Sequence, residues 1–108
     1  MKGWKAASMV FQGGKQQIND LRGKRVRTKV ILTSARVYDP IWNRLDTATI
    51  QRGSVGFVSN PLADDLLIAF PKQEHTQSNS LEALMRNCMF FVVVINAPTF
   101  KTQFEVEL

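Results

Sequence analysis

The sequence is poor in the side chains that most often carry chemistry. It has one cysteine, Cys88, one histidine, His75, and one tyrosine, Tyr38, in 108 residues. A lone cysteine cannot close an intrachain disulfide, and one Cys with one His thirteen positions away does not make a metal-ligand set of usual spacing. Cys88 opens the most apolar segment, so a buried, inert thiol is expected there. Long apolar runs are missing as well. The strongest, 88–95, spans eight residues, whereas a helix crossing a bilayer needs roughly 20. Gln12, Gly13, Gly14 and Lys15 interrupt anything like the apolar centre of a signal peptide. The expectation is a cytoplasmic protein that makes no use of a membrane.

Low-complexity tracts and internal repeats are also absent, and 44% of the residues are apolar, with seven Phe and two Trp. That suffices for one modest hydrophobic core at a length typical of a single domain. Wholesale disorder is excluded on the same grounds.

Charge is unevenly spread. Residues 1–29 hold Lys2, Lys5, Lys15, Arg22, Lys24, Arg25, Arg27 and Lys29 against Asp20 alone, a balance of +7, while residues 30–108 carry −2. Local concentration of one sign exceeds what solubility requires and points to an acidic protein surface or a nucleic acid as partner.

Hydrophobic periodicity gives a mainly β inventory. Residues 1–14 read as an arm with Trp4, Met9, Val10 and Phe11, able to dock on a partner or on a second copy of the chain. Residues 15–21 suit one or two helical turns ended by Gly23. From Arg25 to Leu32 the chain alternates, with Val26, Thr28, Val30 and Leu32 on one face and Arg25, Arg27 and Lys29 on the other, the pattern of a strand with a basic outer row. Residues 33–48, containing Tyr38, Pro40 and Trp42, show no period and read as a long ordered loop.

A β-prone run then follows from Ile50 to Ser59, where Gly53 and Gly56 suit a bend, a bulge or a close backbone approach. Leu66 to Phe70 is a short strand ended by Pro71. Ser80 precedes Leu81, Leu84 and Met85 at helical spacing, with Glu82 in the first turn. Met89–Ile95 reads as a buried strand, 96–99 as a turn, and 100–108 as a returning strand. About five strands and one short helix fit a small antiparallel barrel better than a parallel α/β fold, which needs a helix between successive strands.

The run Gly53-Ser54-Val55-Gly56-Phe57-Val58, a turn, and Asp65-Leu66-Leu67-Ile68-Ala69-Phe70 resembles the turn–strand signature of SH3-like barrels, including KOW modules. The close, Val92 to Ile95 through Phe100 to Leu108, is similar to the last hairpin of a subgroup that includes the variable chain of ferredoxin-thioredoxin reductase and a small barrel subunit of photosystem I. The resemblance covers residues 23–108 and leaves 1–22 as a separate basic arm. It implies an SH3-like barrel that acts as an accessory subunit on a larger partner and carries no cofactor.

Catalytic constellations are thin. Asp64-Asp65 follows Asn60-Pro61, where adjacent acids cap and solvate a turn rather than share a proton. His75 with Ser78 or Ser80 lacks the strand–turn–helix setting of a serine nucleophile. Gly13-Gly14-Lys15 alone does not cradle phosphates. The expectation is a non-catalytic adaptor without metal or cofactor, binding an acidic partner through Lys15, Arg22, Lys24, Arg25, Arg27 and Lys29, with Tyr38 and Trp42 beside them. Single-stranded nucleic acid is the alternative ligand, since basic rows and aromatic rings serve that purpose too, and a toxin-like ribonuclease of barrel type is a second alternative.

Overall fold

The computed structural model describes residues 3–13, 15–40, 42–59, 65–72, 80–87 and 89–108. The chain runs β1 (Trp4–Ala6), α1 (Ala7–Val10), α2 (Lys15–Asp20), β2 (Arg25–Thr28), β3 (Leu32–Asp39), β4 (Arg44–Ile50), β5 (Val55–Val58), β6 (Leu66–Pro71), α3 (Leu81–Asn87), β7 (Phe90–Ile95), α4 (Ala97–Gln103) and β8 (Phe104–Glu107). All eight strands join one antiparallel sheet in the order β1-β8-β2-β5-β6-β7-β3-β4, whose free edges are β1 and β4.

Connectivity forces this sheet to curl. β2 and β3 are joined by residues 29–31 alone, yet β5, β6 and β7 stand between them in the sheet. Four strand spacings in a flat sheet would separate them by about 19 Å, whereas four Cα steps reach at most about 14 Å. β2–β3 and β4–β5 therefore form one long hairpin, bent at 29–31 and 51–54, that flanks β6 and β7 from both sides. At the bend the Thr28 hydroxyl accepts from Val30 N–H at 3.2 Å and donates to Val30 O at 2.5 Å, which ends β2 locally. Gly53, at φ +85, supplies the left-handed residue of the opposite turn. Gly56 has a different reason: a Cβ there would lie 2.6 Å from the Ala69 carbonyl oxygen, so only glycine lets β5 approach β6 so closely.

One face of the sheet carries the main core. Val26, Val58, Leu66, Ile68, Phe70, Val93, Ile95, Phe104 and Val106 point to this side and are covered by Ala7, Phe11, Ile18, Leu21 and Phe100 from the helical segments. Phe100 sits 5.6 Å edge-on to Phe11 and 5.4 Å from Phe104 in a stack, centroid to centroid. A smaller cluster on the other face packs Leu81 and Leu84 of α3 against Phe57, Ala69 and Phe90. Ser80 Oγ accepts from Ala83 N–H at 3.2 Å, the cap expected for α3.

The mainly β class and the elements at 15–20, 55–58, 66–71, 81–87 and 90–95 agree with the sequence reading, whereas the strand expected over 25–32 stops at Thr28 and Val30 is exposed in the bend beyond it. Four further expectations are corrected. The sheet has eight strands rather than about five, and no strand pairing joins its two edges among the described residues. Residues 33–48 are not a loop: most belong to the hairpin β3–β4, whose strands lack an apolar period because β4 is exposed over most of its length. The N-terminal stretch, expected to dock on a partner or a second copy, docks on its own sheet, because β1 pairs with β8 and Phe11 is fully buried. The final return begins with a helix, since Asn96 caps α4 by accepting from Thr99 N–H at 2.9 Å, with proline in the first turn, and Phe100 lies inside that helix.

Candidate interaction surface

Alternation along β2 buries Val26 and Thr28 and turns Arg25 and Arg27 to the opposite face. β8 alternates likewise, burying Phe104 and Val106 and presenting Glu105 and Glu107. Because β8 lies beside β2 with Arg27 opposite Glu105, the two rows neutralise each other. Arg27 Nε donates to Glu105 Oε1 at 2.8 Å, and Arg25 Nη1 to Glu107 Oε2 at 3.1 Å. Trp4, opposite Glu107 on β1, lies under both cations: the guanidinium carbon of Arg27 is 4.4 Å from a ring centroid and that of Arg25 5.9 Å. Sheet pairing thus turns the expected free basic row into a cation–π and ion-pair lattice with no net charge.

The other expected site residues are dispersed. Arg22 and Lys24 lie exposed in the turn after α2, and Lys29 is exposed at the hairpin bend. The Lys15 side chain lies outside the described residues, as do His75, Ser78, Asp64 and Cys88. Tyr38 and Trp42 belong to the far hairpin, with β5, β6 and β7 between them and β2, so the described members of the set form no single patch. The N-terminal residues proposed for self-association are mostly spent within the chain: Phe11 in the core and Trp4 under the arginines, with Met9 left exposed.

The β3–β4 hairpin gathers features of its own. Asp39 and Arg44 are its closing pair. The Tyr38 hydroxyl donates to Asn43 Oδ1 at 2.6 Å, Asp39 Oδ1 accepts from Trp42 N–H at 3.3 Å, and Asn43 takes the left-handed conformation at φ +50, so the turn is held by its own side chains. At that tip Trp42 is 75% exposed, and Leu45 beside it is 72% exposed. Trp42, Val37, Ala48 and Phe91 bound a hollow of about 260 Å³ whose rim carries the pairs Lys72–Asp39 at 2.7 Å and Arg44–Asp46 at 3.7 Å. A second hollow of about 350 Å³ opens beside the bulged start of β3, between Leu32, Ser34, Arg36 and Thr99.

The sequence singled out Tyr38 and Trp42 but not the strands that hold them, which carry no apolar period. The hairpin's signal was Trp42 in a turn-forming context. Among the described residues no group of three or more His, Cys, Asp or Glu converges, and no helix is long and apolar enough to cross a membrane. No protein family, curated protein or solved structure was found to match the chain.

Proposed function

We propose that the chain is a non-catalytic accessory or adaptor module that binds a protein partner through the β3–β4 hairpin and its free β4 edge. The observation that carries this is Trp42, three-quarters exposed at the tip of a ribbon whose turn is fixed by two side-chain hydrogen bonds and a left-handed Asn43. An exposed Trp on an ordered support, next to an apolar hollow and an arginine, is the composition of a binding hot spot. Local charge favours a protein over a polyanion. Of Arg36, Arg44 and Lys72 around the hairpin, two are already paired with Asp46 and Asp39. Arg22, Lys24 and Lys29 supply long-range attraction to an acidic partner, and the same exposed cations support nucleic acid as the rival ligand.

The SH3-like resemblance belongs to this proposal. Setting aside β1 and the β3–β4 hairpin leaves five antiparallel strands, β8-β2-β5-β6-β7, in a curled sheet with the last strand against the first, which supports a small-barrel scaffold.

Capture from the lysate of cells that make the protein, before and after nuclease, tests the assignment. Wild type is compared with Trp42→Ala and with the double reversal Lys24→Glu/Lys29→Glu. The expected result is a stoichiometric protein that survives nuclease, is lost with Trp42→Ala and is retained by the lysine reversal. Material destroyed by nuclease and lost on lysine reversal would overturn it in favour of nucleic acid.

A further inference from the structure

β3 leaves both of its neighbours at its start. It pairs Leu32 with Ile50 and Ala35 with Ala48 of β4, so Thr33 and Ser34 together oppose Thr49 alone, the two-against-one count of a bulge. Ser34 stands there at φ +54, a left-handed conformation that a residue with a Cβ holds only where its surroundings impose it, and such positions cluster at ligand sites. On the other side, β7 pairs with β3 only at Val37–Val93 and Tyr38–Val92. Where that ladder stops the hollow of about 350 Å³ opens, with Thr99 and Gln103 of α4 across from the bulge.

Its lining differs from that of the hairpin hollow. The polar side chains are Thr33, Ser34, Arg36, Thr99 and Gln103, which bring three hydroxyls, an amide and a guanidinium but no carboxylate. Arg36 is exposed and forms no ion pair among the described residues. Exposed Lys29 stands beside Gln103, whose carbonyl accepts its N–H at 2.8 Å. The segments that build this end of the sheet, 28–36, 50–54 and 94–104, carry Lys29, Arg36, Arg52 and Lys101 and not one acid. Convergent donors in a field of one sign select an anion.

We infer that this hollow binds a small phosphomonoester with an aliphatic body, of the glycerol- or sugar-phosphate kind. Such a group presents three acceptor oxygens and a charge of about −2 at neutral pH, which a guanidinium fork and several hydroxyls match better than they match the two oxygens of a carboxylate. Ile31 and Val94 supply an apolar wall for the carbon part. The lining holds no aromatic ring, so a nucleoside base would find nothing to stack on. The volume lies near the lower end of the roughly 300–1,000 Å³ usual for ligand sites, which suits one small molecule. The hollow is at the opposite end of β3 from the Trp42 turn, so the inference stands or falls apart from the hairpin assignment.

The test is NMR titration of the full isotope-labelled chain with glycerol phosphate, inorganic phosphate, adenosine monophosphate and glycerol. Both phosphates without a base should give saturable shifts confined to residues 31–36, 94–95, 99 and 103, and uncharged glycerol should give none. Arg36→Gln should weaken glycerol phosphate binding by at least about tenfold, as for loss of a hydrogen-bonded charge. Ser34→Gly, which the left-handed backbone accepts, removes only a hydroxyl and should weaken it by about threefold or more. Arg86→Gln on α3 removes the same charge away from the hollow and should change nothing. Circular dichroism checks that each variant folds, as expected for exposed positions.

No saturable shift with either phosphate overturns the inference. An equal loss with Arg86→Gln, or shifts spread over Arg22, Lys24 and the other exposed cations, would show attraction by net charge alone and overturn the site. Tighter binding of adenosine monophosphate than of glycerol phosphate would overturn the aliphatic class. Vesicles of phosphatidylcholine with phosphatidic acid carry the same monoester on a bilayer, and no co-sedimentation with them is expected. Co-sedimentation lost in Arg36→Gln would move the site to a lipid surface and overturn a free ligand.

Discussion

Arg27 stacks its guanidinium carbon 4.4 Å from a ring centroid of Trp4 while its Nε donates to Glu105, so β1, β2 and β8 are tied together on their outer face by one side chain. The arrangement follows from register: Trp4 and Glu105 reach the same face as Arg27 because β8 is shared by β1 and β2. Two of the residues that make the first quarter of the sequence look like a free basic surface, Arg25 and Arg27, therefore serve the fold.

Replacing Arg27 by Ala should lower stability by about 1 kcal/mol, the sum of a partly exposed ion pair and a cation–π contact, each worth roughly half of that. Urea unfolding of Arg27→Ala, Glu105→Ala and the double variant measures the coupling. A value near zero would show that the pair adds nothing.

Gly56→Ala should destabilise by about 2 kcal/mol or more. The new methyl would meet the Ala69 carbonyl at 2.6 Å, and backbone on both sides would have to part β5 from β6. Thermal unfolding checks it, with Gly3→Ala, where a Cβ meets nothing within 4 Å, as the matched control.

Phe11→Ala should cost about 3–5 kcal/mol, as for a fully buried aromatic ring, because Phe11 packs edge-on against Phe100 in the main core. A detachable arm would show no such loss, so denaturant unfolding separates the two descriptions of the N-terminal segment.

Asn96→Ala should cost about 1 kcal/mol by leaving the Thr99 N–H without its cap, and Asn96→Asp should restore most of it. Equal midpoints for wild type and Asn96→Ala in urea would contradict the cap's contribution.

How much of this was readable from the residues depended on burial. β2, β5, β6 and β7 have one or both faces in a core, so their apolar pattern or run marks them directly. β4 is exposed on both faces except near Ile50, and a strand that buries little leaves no period to read. β1, at three residues, is too short for a pattern. The start of α4 was encoded, since Asn96 before Ala97-Pro98 is a helix-opening signal as much as a turn. Phe100, Phe104 and Val106 happen to keep the even spacing of a strand across the helix–strand junction, which masked it. The acidic row of Glu105 and Glu107 was equally visible. What the sequence could not convey was that β8 lies beside β2, and that adjacency alone decides whether Arg25 and Arg27 are free for a partner.

The most direct measurement is photocrosslinking in the cells that make the protein, with a photoreactive amino acid placed either at Leu45 on the exposed hairpin or at Lys24. Protein adducts from position 45, with few from position 24, are the expected result. Adducts only from position 24, or adducts to nucleic acid, would contradict the hairpin as the binding edge.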